Sequence, residues 1–204
     1  MDERRDVTYL NQGSASPRID IYGLLSALLV RPPSAGRLEY LTNLDFHPDI
    51  PSSLSRAVAE VKAAAGRTGA EAAGREYQAL FAGGEDGEIV PYASWYMANR
   101  VHGTPMVPLD DHLAALHIQR RGEACDREDH AAALCELMVL VIAEPQVLIP
   151  DQAAFFNTQL APWMPLFFED LRNAPSADFY RPVGNLGGLF KELEKELLKE
   201  RVNG

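Results

Sequence analysis

The sequence contains few cysteines and no apolar run long enough to cross a bilayer. Cys125 and Cys135 are its only cysteines, and their spacing fits neither a zinc knuckle nor a CxxC redox pair. We therefore expect reduced thiols in a reducing cytoplasm, with Cys135 buried. The longest apolar run, over residues 131–143, falls short of the roughly 20 residues that a spanning helix needs. The sequence therefore predicts a cytoplasmic protein without stable membrane insertion.

Recognisable motifs for binding a metal or a phosphate are also missing. The five histidines show no HExxH motif and no other familiar ligand spacing. Gly83, Gly84 and Gly87 lack the lysine and the hydroxyl residue of a P-loop. We therefore predict a protein that holds no metal and no other cofactor.

The charge balance of the chain is acidic. Asp and Glu number 29 against 19 Lys and Arg, so the 204 residues carry a formal net charge of -10. Such a charge disfavours nucleic acid and anionic membrane surfaces as partners and favours cationic ones. The hydrophobic content of 47% is enough to fill a sizeable core.

Apolar residues recur at helical spacing along most of the chain. No segment shows the sustained period-two alternation of a strand, so we predict an all-α fold. The apolar positions between Ile21 and Leu28 predict a first helix that ends before Pro32. A later helix is expected to start at a Thr68 cap and to reach Phe81.

A long irregular segment follows at residues 83–107, where glycine, proline and polar residues interrupt any period. We predict a loop here, with one short helix over residues 94–99. Long irregular connections inside compact domains are often functional. After this loop, a helix is expected to begin at Asp110 and to close at Gly122.

The C-terminal part of the chain is predicted to contain further helices. Residues 129–143 are apolar on nearly every face and should form a central helix. An aromatic and aliphatic series over residues 155–171 should be kinked near Pro162 and Pro165. The charged tract at residues 191–201 is expected to be the solvated face of the last helix.

The domain organisation follows from these elements. Residues 1–17 are expected to form a mobile tail, and residues 18–204 a single helical domain. The polar connection at residues 123–128 is the candidate boundary between its N-terminal and C-terminal halves, which should meet around residues 108–128.

Asp111 and His112 form an incomplete catalytic set. They could be the orienting carboxylate and the general base of a small hydrolase, but neighbouring residues on a helix point about 100° apart. No nucleophile is evident beside them in the sequence. Asp111 could instead cap its helix. The pair could also anchor a peptide, with Asp pairing to Arg or Lys and His donating to backbone carbonyls.

Aromatic side chains concentrate around the irregular loop. They are Tyr77, Phe81, Tyr92, Trp95 and Tyr96. Each one alone is typical of a core position, but their concentration beside a loop favours a binding face. The nearby acidic residues Glu85, Asp86 and Glu88 would suit a basic peptide, or would simply keep the loop soluble.

Three motifs follow one another along the chain. They are Tyr77-x-x-Leu80-Phe81-x-Gly83, then Pro91-Tyr92-x-Ser94-x-Tyr96, and then Asp111-His112-Leu113 at the start of a helix. In this order and spacing they resemble the TorD/DmsD/NarJ family of redox-enzyme maturation chaperones. Closing helices rich in aromatic residues extend the resemblance over nearly the whole chain from residue 19.

The resemblance implies a TorD-like, all-α cytoplasmic chaperone that is not an enzyme. Its partners would be the twin-arginine signal peptide and the apo form of a molybdopterin-dependent oxidoreductase, which it would assist in cofactor loading and folding before export. The residues that the resemblance assigns to signal-peptide binding are Leu80, Phe81, Gly83, Pro91, Tyr92, Tyr96, Asp111 and His112. Ala93 and Gly84 depart from the family pattern, where an acidic residue and a proline are common, and this affects the expected peptide specificity.

Two other functions stay open on the sequence alone. One is a small cytosolic hydrolase that uses Asp111 and His112, and the other is an unrelated helical interaction module without a signal-peptide preference. The oligomeric state is open between a monomer and a domain-swapped homodimer, for which residues 123–128 would be the hinge.

Overall fold

The computed structural model describes residues 17–45, 51–81, 87–101, 108–118 and 127–203. Its α-helices are α1 Pro17–Leu29, α2 Ala35–Thr42, α3 Ser52–Arg67, α4 Ala70–Phe81, α5 Ala93–Asn99, α6 Leu109–Ala115, α7 Ala131–Ala143, α8 Ile149–Phe155, α9 Met164–Asn173 and α10 Tyr180–Asn203. A π-helical segment, Phe156–Leu160, follows α8. The described ranges are helical and contain no strand, which confirms the predicted all-α fold. The predicted N-terminal tail lies outside them up to residue 16.

The chain divides into two compact units, each made from separated stretches. Unit 1 contains Met1–Val30, Tyr92–Trp163 and Leu193–Gly204, and unit 2 contains Arg31–Pro91 and Met164–Glu192. Most of the predicted boundary, residues 123–126, lies outside the described residues, and the division into halves around residues 108–128 stays a prediction. None of the helices described here is long and apolar enough to cross a membrane.

Unit 1 is built around the packing of α1 against α7. Ile21, Leu25 and Leu28 of α1 are fully buried, because their spacing puts them on one helix face. Each such side chain contributes about 1.5–3 kcal/mol relative to exposure. α7 is buried along most of its length, including Cys135. The predicted first helix, central helix and buried Cys135 are confirmed, whereas Cys125 lies outside the described residues.

A buried ion pair connects two helices of unit 1. The Arg18 Nε lies 2.8 Å from Oε2 and 3.1 Å from Oε1 of Glu194, and its Nη1 donates to Gln152 at 2.8 Å. Glu194 and Lys191 are only 1% and 2% exposed. The prediction that residues 191–201 form a solvated face is therefore wrong at these two positions. A carboxylate tolerates burial when a guanidinium pairs with it in this way.

Helix α6 of unit 1 ends earlier than the sequence predicts. It stops at Ala115, so the predicted continuation to Gly122 is wrong. His117 adopts the left-handed conformation, with a φ of 55°. The Ile118 N–H then donates to the Leu113 carbonyl at 3.0 Å, which is the 6→1 hydrogen bond of a Schellman motif. Glycine usually occupies the left-handed position, so the sequence carries no signal for this end.

The aromatic series is broken near Pro162, as predicted, by a π-helical segment and a turn. The Ala161 N–H bonds to the Phe156 carbonyl at 2.9 Å, which is the i→i−5 spacing of a π-helix. Residues 161–163 form the turn that precedes α9. Pro165 lies in the first turn of α9, where a missing N–H is tolerated, so the predicted kink at that proline is wrong.

In unit 2, α2 packs against α3, and α4 reaches Phe81 as predicted. The predicted N-cap of α4 is wrong. Thr68 is the extended residue that closes α3, and the Ala73 N–H bonds to the Gly69 carbonyl at 3.0 Å. Since Gly69 accepts the first intrahelical bond, the N-cap position lies one residue later than predicted.

Helices α9 and α10 approach each other closely within unit 2. A Cβ atom at Gly187 would overlap the Phe168 ring, and one at Gly184 would lie 2.8 Å from the backbone nitrogen of Arg172. These two glycines therefore allow the helices to pack with the Phe168 ring between them.

Candidate functional site

The first motif lies in α4, inside unit 2, where Tyr77 is half-buried and the next two motif side chains are buried. Leu80 is 0% exposed and Phe81 is 8% exposed. The Phe81 ring centroid lies 5.0 Å from that of Tyr77 and 5.4 Å from that of Tyr180, which is the spacing of packed aromatic pairs. Pro91 is also buried. The motif therefore contributes to a core, and the peptide-binding role of these residues stays a prediction.

Glu76, directly before this motif, has a role that sequence reasoning missed. Its carboxylate accepts hydrogen bonds from three consecutive backbone N–H groups at the start of α10, at 2.8, 3.0 and 2.8 Å. Such groups have no partner inside the helix, so Glu76 caps α10 and ties α4 to it. The residue before α10 is Phe179, which offers no capping atom. That missing cap was the signal available in the sequence.

The acidic loop after α4 is described only in part. Gly83, Glu85 and Asp86 lie outside the described residues. Glu88 accepts hydrogen bonds from the backbone N–H of Ser176 at 3.2 Å and from the hydroxyl of the same residue. Glu88 is therefore already engaged within unit 2, at the turn that precedes α10.

From Tyr92 onward the second motif lies in unit 1, at α5, where Tyr96 is 1% exposed. Its ring centroid lies 5.6 Å from that of Trp163 and 4.9 Å from that of Trp95. Tyr96 therefore packs α5 against the turn that follows the π-helical segment. Its predicted contact with a peptide stays a prediction.

Tyr92 is half-buried and stands in a polar cluster of unit 1. Its ring meets that of His130 edge-on at 5.3 Å, and the Cζ of Arg127 lies 4.3 Å from its ring centroid, within cation–π distance. Arg127 also donates to Ser94 Oγ at 2.9 Å and to Asp129 Oδ1 at 3.2 Å. We call these residues the Tyr92 cluster: Tyr92, Ser94, Arg127, Asp129 and His130.

Asp129 holds the start of α5. Its Oδ2 accepts from the Ser94 N–H at 3.0 Å, and its backbone carbonyl accepts from the Ala93 N–H at 2.9 Å. Burial raises the pKa of Asp129, but the hydrogen bonds from Ser94 and Arg127 outweigh that effect and hold the pKa below its usual value. The carboxylate is therefore charged at neutral pH.

His130 is the N-cap of α7. Its Nδ1 accepts a hydrogen bond from the Ala132 N–H at 3.0 Å, which requires an unprotonated Nδ1. Burial lowers the pKa of His130 to about 4, so the imidazole is neutral at physiological pH. The sequence around His130 gives no sign of this role, because N-caps are usually Ser, Thr, Asp or Asn.

Asp111 and His112 lie near the start of α6 in unit 1. Asp110 and Asp111 are both exposed and both belong to the first helical turn, where the helix dipole favours negative charge. The N-cap position is occupied by Pro108, which makes no side-chain capping bond. Asp111 is therefore not the N-cap, and its carboxylate is accessible to solvent.

His112 is half-buried against the π-helical region. Its Nδ1 lies 3.2 Å from Thr158 Oγ1, and its ring packs on Phe155 at 5.1 Å. The Thr158 hydroxyl donates to the Ala154 carbonyl at 2.8 Å, so at His112 it accepts, and Nδ1 carries the hydrogen. Burial lowers the pKa of His112, which favours a neutral ring with Nε2 as an acceptor.

The contact between Thr158 and His112 does not form a nucleophile and base. A nucleophile must be able to give its proton to the base, but the Thr158 proton is directed to a backbone carbonyl. Groups of three or more potential metal ligands do not occur among the described residues. The geometry therefore does not favour the hydrolase alternative.

Residues 156–163 support both parts of the unit 1 site. Thr158 in this stretch contacts His112 of α6, and Trp163 packs on Tyr96 of α5. π-Helical segments are rare and are frequent at functional sites. One short stretch therefore positions the helix that follows Tyr92 and the helix that carries Asp111.

A depression of about 400 Å³ lies at the C-terminal end of α6 in unit 1. Its lining combines apolar, acidic and other polar side chains, among them Leu116, His117, Glu144, Val147 and Asp151. The adjacent Leu148 is 64% exposed. Helix α6 thus runs from an exposed acidic pair to a partly apolar depression.

A family model described as nitrate reductase delta subunit matches residues 47–169 of the chain. The match covers more than half of the sequence and includes all three motifs, the Tyr92 cluster and the π-helical segment. The comparison with curated proteins finds no match.

Proposed function

Since the chain belongs to the nitrate reductase delta subunit family, whose members are maturation chaperones of molybdoenzymes, we propose that it binds the twin-arginine signal peptide of one such enzyme. The family match confirms the resemblance that the three motifs indicated. In this proposal the chaperone acts in the cytoplasm, as a monomer or a domain-swapped dimer. It shields the apo enzyme while the molybdopterin cofactor is loaded, and it releases the enzyme for export.

The observation that carries the signal-peptide step is the exposed acidic pair at the start of α6. Asp110 and Asp111 face solvent next to the half-buried His112. A twin-arginine signal carries a cationic region followed by an apolar one. Arginine and carboxylate form strong, often bidentate hydrogen bonds, and the net charge of -10 adds attraction at longer range.

The apolar region of the peptide finds a matching surface along the same helix. The depression at the far end of α6 is lined in part by Leu116 and Val147, and Leu148 beside it is exposed. We place one arginine of the pair at the N-terminal end of α6 and the apolar region toward this depression. Both ends of the proposed site lie in unit 1.

His112 is proposed to accept a hydrogen bond from the peptide. Because the Thr158 hydroxyl accepts a hydrogen bond from the His112 Nδ1–H, the remaining lone pair of the ring is on Nε2. A guanidinium or a backbone N–H of the peptide can donate to it. Sequence reasoning expected His112 to donate to backbone carbonyls. The observed hydrogen bonds favour the opposite direction while the ring is neutral.

The buried members of the predicted site have a supporting role in this proposal. Leu80 and Phe81 pack the interior of unit 2, and Tyr96 holds α5 in unit 1. Tyr92 is half-buried and Asp111 is exposed, so we propose these two side chains for direct contact with the peptide.

Calorimetric titration with a synthetic twin-arginine peptide tests the proposal. Asp111→Asn removes the charge and keeps the shape, so we expect about fivefold weaker binding, equivalent to about 1 kcal/mol for a solvent-accessible charge pair. The loss should shrink as salt rises, because screening weakens the wild-type attraction. A twin-glutamine peptide should bind the wild type more weakly than the twin-arginine peptide does. It should bind the wild type and Asp111→Asn with the same affinity.

Asp110→Asn is the matched control, since Asp110 is exposed in the same helical turn. We expect it to cost less affinity than Asp111→Asn. Wild-type protein that does not bind the twin-arginine peptide would overturn the proposed function. Equal losses for the arginine and glutamine peptides would assign Asp111 to the stability of α6 and remove it from the contact.

A further inference from the structure

The Tyr92 cluster has the composition of a binding site for a guanidinium group. An aromatic face, a carboxylate and a hydroxyl surround one point, and the Arg127 guanidinium occupies it. It lies 4.3 Å from the Tyr92 centroid, 2.9 Å from Ser94 Oγ and 3.2 Å from Asp129 Oδ1. Stacking on a ring combined with forked hydrogen bonding is characteristic of arginine and is not reproduced by lysine.

The groups that receive the guanidinium are held in place by contacts other than Arg127. Asp129 is fixed by the Ser94 N–H at 3.0 Å, and its backbone carbonyl by the Ala93 N–H at 2.9 Å. Tyr92 forms a β-bridge with His130, and the two rings are in edge contact. The receiving groups are thus organised by the start of α5 and would keep their positions without the cation.

The Arg127 side chain is more exposed to solvent than that of Asp129. The exposed fractions are 53% and 18%. Solvent-accessible ion pairs contribute little net stability, because water competes for both partners. Arg127 can therefore move into solvent at low cost, and a second guanidinium can take over the same acceptors. The hydrogen bonds from Ser94, which lower the pKa of Asp129, do not depend on Arg127 and persist during the exchange.

We propose that Tyr92, Ser94 and Asp129 form a binding site for an arginine side chain of the bound peptide, and that Arg127 occupies this site in the free chain and is displaced on binding. Arg127 is then a built-in competitor that lowers the affinity of the chaperone and eases release of its client. The assignment to the peptide rests on the proposed function. The guanidinium site itself does not.

The site is tested first with a small probe, Nα-acetylarginine amide, and no peptide. Arg127→Ala empties the site, so millimolar probe should raise the Tm of this variant and leave that of the wild type nearly unchanged. Nα-acetyllysine amide should have no such effect. Tyr92→Leu combined with Arg127→Ala should abolish the response. Equal shifts in wild type and variant, or equal shifts with the lysine probe, would overturn the site. Arg127→Gln serves in the same way if the alanine variant does not fold.

Displacement is tested by titrating the twin-arginine peptide into wild type and Arg127→Ala. Removing the competitor should strengthen binding by about fivefold, the equivalent of one accessible ion pair, and a twin-lysine peptide should gain less. Unchanged or weaker binding of the twin-arginine peptide to the variant would overturn the displacement while the proposed function stands. If neither protein binds the peptide but the variant binds the arginine probe, the proposed function fails and the guanidinium site is retained.

Discussion

His130 can cap α7 only while its imidazole is neutral, and this couples the stability of unit 1 to pH. The folded pKa is lowered by burial to about 4 from the ordinary value of 6.5. The stabilisation is complete above pH 6.5, where neither state is protonated, and it is lost as the pH falls through the folded pKa. Between the unfolded pKa of 6.5 and the folded pKa of about 4, the unfolded chain binds a proton that the folded chain does not bind. The total effect is about 3 kcal/mol at 1.36 kcal/mol per pKa unit.

The His130→Asn variant keeps a side chain that can cap α7 but removes the imidazole that titrates. Asparagine keeps a capping acceptor, so the free energy of unfolding at pH 7.5 should change by no more than about 1 kcal/mol. Between pH 7.5 and pH 5, the variant should lose about 2 kcal/mol less than the wild type. Urea denaturation at several pH values measures both quantities.

His117→Asn is the control for this pH dependence. His117 is exposed and left-handed, with a φ of 55°, a conformation that asparagine tolerates. The control should retain the wild-type pH profile. A His130→Asn variant with the same profile would mean that another group produces the pH dependence.

At the scale of elements, helix α10 contains two adjacent glycines with different surroundings. A methyl group at Gly187 would overlap the Phe168 ring, whereas one at Gly188 would meet its nearest neighbour, the Cβ of Phe168, at 3.9 Å. Gly187→Ala should therefore destabilise the protein by about 1–3 kcal/mol through overpacking. Gly188→Ala should stabilise it by about 0.5–1 kcal/mol, because alanine is the better helix former. Chemical denaturation of both variants compares them directly, and equal effects would contradict the close packing of α9 on α10.

The helix ends show which features a sequence can predict. Where proline sets the limit, as for α1 before Pro32, the prediction of a helix end is correct. The end of α6 at His117 depends on a left-handed residue that is not glycine. The start of α10 depends on Glu76, which is far away in the sequence. The local sequence indicates neither the left-handed residue nor the identity of the distant cap.

The same limit applies to the candidate site. Tyr92 is half-buried and Asp111 is exposed, but the motifs do not distinguish them from Leu80 and Tyr96, which are buried. Spacing predicts which residues share an element. Burial depends on which other elements pack against it, and the partner of Tyr96 is Trp163, well downstream in the chain.

At the scale of the whole molecule, the three family motifs divide between the two units. The first motif and Pro91 belong to unit 2. The rest of the second motif and the third motif lie in unit 1 with the exposed acidic pair, the Tyr92 cluster and the partly apolar depression. All side chains that we propose for peptide contact therefore belong to unit 1. The acidic net charge of -10 favours the approach of a cationic segment to any part of the surface, so the specific groups must decide where it binds.

Photo-crosslinking tests whether unit 1 receives the arginines of the signal peptide. A twin-arginine peptide with a benzophenone residue beside its arginine pair is irradiated with the full chain, and mass spectrometry identifies the crosslinked residues. We expect crosslinks in α5, α6 and residues 156–163. An excess of unlabelled twin-arginine peptide should suppress these crosslinks, and an excess of twin-glutamine peptide should not. Crosslinks confined to unit 2, or equal suppression by both peptides, would contradict binding of the arginines at unit 1.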